Sequence, residues 1–289
     1  MASPRARFAV IGGSGFYALE ALGAMERWRP ETPYGPTSDA IVIGSVGTKR
    51  VAFLPRHGVG HVLLPHEIPG RANMWALKQL GVEGIVAVAA VGSLQESVAP
   101  LEMVAPDQLI DWTRRGPPAT FFGEGVVAHA SLADPFCADL GARLVAAGRA
   151  LGQTVHAGGA YVCIDGPQFS TRAESAIYRS WGASVIGMTA AAEAKLAGEA
   201  EMAYGLLATV TDYDVWHASE EDVSTGLILE RLRQNVAVAR EVVWAVLEGL
   251  PADWESPRRG SMAGAVVTAA AQMPASRRAA LGPILGGAS

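Results

Sequence analysis

Cysteine is nearly absent: Cys137 and Cys163 are the only two in 289 residues, and they are not closely spaced. That excludes a disulfide framework and a cysteine-built zinc site, and it fits a reducing compartment. Clustered charge is missing as well. The net charge is −5, and no block of five or more like charges occurs. A sequence-independent grip on nucleic acid needs grouped Lys and Arg to displace counterions, so no nucleic-acid partner is expected. Long apolar runs are also lacking. Gly84 to Leu94 and Met262 to Met273, the main uncharged apolar stretches, fall short of the roughly 20 residues that span a bilayer. Two arginines between Met1 and Arg7 precede a short apolar run that halts at Gly12–Gly13, unlike a secretory leader. A soluble cytoplasmic protein without membrane contact is the expectation, and there is no internal repeat.

What is present is a chain that is half hydrophobic and punctuated by glycine, long enough to bury one large core. Short β-branched runs read as strands: 8–11, 40–43, 51–54, 84–90, 104–110, 160–164, 184–188 and 204–211. Ala-rich stretches between them read as helices: 71–80, 135–151, 171–181, 191–202 and 222–250. Thr171 with Glu174 forms a capping-box pattern, and Gly182 is a suitable helix stop. This alternation predicts an α/β fold, a single domain with a central mixed β-sheet flanked by helices. Composition shifts near Pro251, which divides residues 1–250 from a linker and tail over 251–289, either a docking helix or partly disordered.

Six pieces carry polar groups to strand ends. Ile11-Gly12-Gly13-Ser14-Gly15 is a tight turn or a small anion cradle, and it lacks the dinucleotide-binding glycine pattern. Arg56-His57-Gly58 offers a planar fork suited to an oxyanion; with His61 and His66 it fits no compact metal site. Ala90-Val91-Gly92-Ser93 ends another strand, where ligands of α/β sheets gather. Gly166-Pro167-Gln168-Phe169 places an aromatic before a helix, either to stack on a planar base or to fill core. Met188-Thr189 precedes a helix start that suits an anion, while Glu193 and Glu199 on that helix read as solvated. Thr211-Asp212-Tyr213-Asp214 holds two carboxylates that either face one ligand or sit at the surface; held close, they cannot both ionise cheaply.

Taken in order from Phe8 to Leu250, these pieces resemble the methylthioadenosine phosphorylase branch of the trimeric purine nucleoside phosphorylases. The most specific segments are Arg56-His57-Gly58-x-x-His61-x-x-x-Pro65, Arg71-Ala72-Asn73-Met74-Trp75, Gly166-Pro167-x-Phe169-Ser170-x-Arg172-Ala173-Glu174 and Thr211-Asp212-Tyr213-Asp214. The resemblance implies a phosphate seat made by Ser14, Arg56, His57, the Ala90 backbone and Thr189. It implies Met188 behind the ribose, Phe169 over the base, Asp212 as the proton donor at purine N7 and an ionised Asp214 at the 6-substituent. Ser170, where 6-oxopurine relatives carry Glu, favours adenine derivatives. Thr225, Ile228 and Leu229 would wall the 5′ end, and His129 would reach into a neighbouring subunit of a homotrimer. The implied reaction is phosphorolysis of 5′-methylthioadenosine, or a close 5′-deoxy-5′-substituted adenosine, to adenine and the 5-substituted ribose 1-phosphate. Phosphate is a co-substrate, and no metal, flavin or nicotinamide cofactor is needed. The chain departs from the family pattern at Ala89, Ala192, Pro69 and Thr225. Alternative readings are a 6-oxopurine or methylthioinosine phosphorylase, a hydrolase, and a non-catalytic nucleoside-binding homologue.

Overall fold

A computed structural model describes residues 5–13, 25–114, 118–217 and 225–285, with the side chains of 225–230, 232 and 233 outside the description. Alternating burial sets the layers. In the first strand, β1 (Phe8–Gly12), Phe8 and Val10 join one core while Ala9 and Ile11 join another. That period of two is what a sheet covered on both faces requires.

Beside β1 lie β4 (Lys49–Pro55) and β5 (Gly84–Ser93), both parallel to it. Two antiparallel neighbours, β3 (Ile41–Val46) and β2 (Glu26–Trp28), extend that edge. On its other edge β5 pairs in parallel with β11 (Ala203–Asp212), a strand buried throughout. The predicted strand over 104–110 divides into β6 (Met103–Ala105) and β7 (Gln108–Asp111). β6 pairs with β11, β7 with β9 (Ala160–Cys163), and the short β8 (Val155–Ala157) with β6. β10 (Ala183–Gly187) runs parallel to β9 and antiparallel to the end of β5. The sheet is mixed, as expected.

One face carries α1 (Gly70–Gln79) and α4 (Ala190–Glu199), which bury Met74, Leu77, Ala194 and Leu196 against Ile11, Ile43 and Leu54. α2 (Ala138–Ala150) and α5 (Thr225–Gly249) cover the other, where Leu140, Leu144, Val243 and Leu247 meet Phe8, Val10 and Phe53. α3 (Arg172–Ser180) has Thr171 as its N-cap with the capping box to Glu174 formed, and Gly182 follows at φ 76.

Residues after Pro251 pack on this body. Trp254 is buried against Phe8, ring centroids 5.6 Å apart, and its indole donates to Asp139 at 2.8 Å. α6 (Ala275–Leu281) accepts a 2.7 Å hydrogen bond from the Trp75 indole at Ala280, and Leu281 and Ile284 enter the core on the α1 face. Leu281 is fully buried, so Leu281→Ala is expected to cost about 2–5 kcal/mol. Urea denaturation with an unchanged slope checks this; a loss under about 0.5 kcal/mol would mean that the tail lies outside the cooperative unit.

Candidate active site

Strand β5 is longer than its neighbours on one edge. β1 covers it to Ala87 and β10 returns only at Gly92, so the stretch between has a free edge. Into that gap Arg56, just past β4, donates from Nη1 to the Val88 carbonyl at 2.8 Å. N–H and C=O of one residue point the same way, and alternate residues share an edge. The Val88 bond therefore sets the Ala90 N–H on the same open edge. Thr209 and Thr211 bond the Ala89 and Val91 carbonyls from the β11 side, as that alternation demands.

This gap opens into a cavity of about 470 Å³ lined by Arg56, His57, Ala90, Phe169, Ser170, Met188, Thr189, Asp212 and Asp214. Arg56 and Asp212 thus face the same space. Gly166 at φ 62 lets its loop press on Met188, where a Cβ would come within 2.4 Å of the thioether sulfur. Phe169 is 44% exposed and free to stack on an occupant, whereas Ser170 is buried with no partner for its hydroxyl among the described residues.

Arg56 is 1% exposed, and sequence reading missed what holds it there. Glu193, read as solvated, is 4% exposed and grips the guanidinium with both oxygens, at 2.5 Å to Nε and 3.0 Å to Nη2. The Tyr204 hydroxyl adds 2.7 Å to the same carboxylate. Burial disfavours the charged guanidinium, but the Glu193 charge outweighs this and raises its pKa. The signal was available: an arginine at a buried strand end needs a counter-charge, and Glu193 lies one turn past Thr189. Three of five guanidinium N–H groups are committed, which leaves one on each Nη for the cavity. Glu199 is also occupied, holding Thr120 and Phe121 at 2.7 Å each.

The carboxylates meet by a different route from simple strand alternation. β11 shifts register between Val210 and Asp212, then ends, and Asp214 turns back at φ 51 to donate its N–H to Asp212 Oδ1 at 2.8 Å. Thr211 Oγ1 lies 2.7 Å from Asp212 Oδ2 and 3.2 Å from the Val91 carbonyl, and its one hydrogen serves one of the two. Gly92 makes room, since a Cβ there would stand 3.0 Å from Asp212 Oδ1. Burial pushes the Asp214 carboxyl up to about 6; the nearby Ser175 hydroxyl opposes this and the Asp212 charge adds to it. Asp214 Oδ2 is buried with no partner among the described residues. Asp214 therefore holds its proton up to about pH 6 in the free site.

Ser14 lies outside the described residues, as do the side chains of Thr225, Ile228 and Leu229. α5 nonetheless supplies Val236 and Ala239 to the lining, anchored to β11 by Arg231 on the Thr211 carbonyl (2.9 Å) and Asn235 on that of Val210 (3.0 Å). His129 is exposed and away from the cavity lining, its backbone bonded to Ala265.

A doubly covered mixed sheet with an oxyanion fork and a carboxyl pair across one cavity defines a glycosyl-transferring class, and residues 7–248 match the phosphorylase superfamily model. The chain belongs to that superfamily and, within it, to the S-methyl-5′-thioadenosine phosphorylase family. It is 49% identical to the S-methyl-5′-thioadenosine phosphorylase of Geobacter sulfurreducens over 96% of this chain and 97% of that one. With the Chloroflexus aurantiacus protein of the same name it shares 48% over 97% and 98%. Among solved structures, a methylthioadenosine phosphorylase from an antarctic soil metagenomic library superposes with TM-score 0.92 at 46% identity, covering 98% and 99%. The Schistosoma mansoni methylthioadenosine phosphorylase in complex with adenine gives 0.85 at 36%, covering 90% and 99%.

Glu193→Gln removes the charge that orients Arg56, and breaking a buried pair costs about 3–5 kcal/mol of stability. The KM for phosphate is expected to rise about tenfold or more while the nucleoside KM stays within about twofold, since a tenfold effect needs only about 1.4 kcal/mol at the seat. Steady-state kinetics with each substrate varied in turn check the split.

Proposed function

We propose that this protein cleaves 5′-methylthioadenosine, or a close 5′-deoxy-5′-substituted adenosine, with phosphate, giving adenine and the 5-substituted ribose 1-phosphate. One observation carries the reading: the Arg56 fork, the open β5 edge at Ala90 and the Asp212–Asp214 carboxyl pair line one cavity. As the C1′–N9 bond breaks, its electron pair passes to the purine and the sugar becomes cation-like. The Asp212–Asp214 pair gives its proton to N7, and phosphate held at Arg56 stabilises the cation and then bonds to C1′. Thr189 at the α4 start and Ser14 complete the seat, with Met188 behind the ribose and Phe169 over the base. Ser170 and an ionised carboxylate that accepts from the exocyclic amine favour adenine. Thr225, Ile228 and Leu229 form the 5′ wall, with the apolar Val236 and Ala239 beyond.

The reaction calls for no cofactor, and among the described residues no helix is long and apolar enough to cross a membrane. The setting is the cytoplasm. The assembly is a homotrimer in which His129, exposed and unused in its own chain's cavity, reaches a neighbour's; sedimentation equilibrium tests the stoichiometry.

Free adenine released from 5′-methylthioadenosine is expected to depend on phosphate and to outpace hypoxanthine release from inosine. Cleavage indifferent to phosphate would overturn the assignment in favour of hydrolysis, and binding without turnover would leave a nucleoside-binding protein. The pH dependence follows from Asp214, whose raised carboxyl loses its proton as pH rises through about 6. At saturating phosphate, kcat/KM for the nucleoside is expected to fall above that point, approaching tenfold per pH unit (~1.4 kcal/mol) as the pair deprotonates. Asp214→Asn should flatten this limb and lower the rate about 10²–10⁴-fold. A full pH–rate profile of both forms is the check.

A further inference from the structure

His57 follows Arg56 into a loop that closes on itself. Its carbonyl accepts from Val62 and Leu63 at 3.0 and 3.1 Å, and its ring Nδ1 lies 2.9 Å from the Leu63 carbonyl. A carbonyl oxygen only accepts, so Nδ1 carries the hydrogen. In a neutral imidazole the other nitrogen, Nε2, is then a bare acceptor. The ring is held neutral: burial first, then the adjacent Arg56 charge, pull its pKa down to about 4, with the Leu63 bond and Glu193 opposing and His61 adding to the fall. His61 stacks on it, ring centroids 4.2 Å apart, which fixes the ring plane. His57 lines the cavity beside Arg56, and with Nδ1 committed to the loop, Nε2 is the nitrogen left for an occupant.

At mildly alkaline pH, inorganic phosphate is largely a dianion with three bare oxygens and one hydroxyl. Bare oxygens suit donors, and the seat has them in the two uncommitted Arg56 N–H groups and the Ala90 N–H. An acceptor in the same seat is idle, or repulsive, unless the ligand brings a hydrogen. We propose that His57 Nε2 accepts a hydrogen bond from the hydroxyl of hydrogenphosphate, so that the seat selects protonated tetrahedral dianions over dianions of equal charge and similar size that carry no proton. This rests on the phosphorolysis reading and deepens it, because it gives His57 an acceptor's part in the phosphate seat.

The probe is monofluorophosphate, which has the charge and nearly the shape of hydrogenphosphate but fluorine in place of hydroxyl. The full-length protein is titrated calorimetrically at a mildly alkaline pH and fixed ionic strength with phosphate, arsenate, monofluorophosphate and sulfate. Phosphate and arsenate are expected to bind within about threefold of each other, and monofluorophosphate and sulfate at least about tenfold more weakly, the loss of one hydrogen bond at a charged ligand. In His57→Ala the gap between phosphate and monofluorophosphate should close to within about threefold, a ratio that a merely structural role would not move. His57→Gln, whose amide can turn a donor toward fluorine, serves as a second variant with the same expectation. Equal binding of phosphate and monofluorophosphate by the wild type overturns the proposal, as does a gap that persists in both variants. Adenine release is measured on the same preparations. Release without discrimination sinks the proton-reading role alone, whereas phosphate binding that discriminates without any release sinks the phosphorolysis reading and leaves His57 as assigned.

Discussion

The Arg56–Glu193 ion pair is the interaction on which the site depends. Taking two charges out of water costs several kcal/mol per ion, and attraction offsets that only with good geometry and further hydrogen bonds. Both conditions hold: the carboxylate meets Nε and Nη2 together, and Tyr204 satisfies a remaining lone pair. The pair also joins elements far apart in sequence, because Arg56 leaves β4, bonds the free edge of β5 at Val88 and is held from α4. Its orientation therefore fixes where positive charge meets the cavity, and it does so before any ligand arrives. That is the preorganisation an oxyanion seat needs, since no reorientation remains for the moment of reaction.

The second element of the site is a buried carboxyl pair. Thr211 and the Asp214 N–H lie at Asp212, while the Ser175 hydroxyl and the Val215 N–H only partly offset the burial of Asp214. Asp214 sits in a left-handed backbone conformation, its Oδ2 buried with no hydrogen-bond partner among the described residues, and its carboxyl holds its proton up to about pH 6. A buried polar group without a partner is costly in a resting protein, and such sites mark places where a ligand completes the bonding. The site thus joins a fixed positive charge and a titratable carboxyl in one cavity.

Much of this was legible in the chain. The motifs at Arg56, Ala90, Phe169, Met188–Thr189 and Asp212 each end a strand or begin a helix, and the sheet brings them to one cavity. The α3 capping box was readable because it is local, requiring only Thr171 and Glu174. Non-local partnerships were harder to see. Glu193 reads as one acid on an Ala-rich helix until the fold sets Arg56 beside it, 137 positions away. Asp214, with its raised carboxyl, sits after a register shift and at a positive φ that period-two reading does not anticipate. The tail reads as linker-like, yet Trp254 and Leu281 find buried seats supplied by the strand and helix layers.

The most direct test is a crystal structure of the protein with phosphate and adenine bound together. The account predicts phosphate oxygens within about 3 Å of both Arg56 Nη atoms and the Ala90 nitrogen, with adenine N7 within about 3 Å of an Asp212 or Asp214 carboxyl oxygen. Phosphate seated away from Arg56, or adenine turned so that N7 faces neither aspartate, would contradict it.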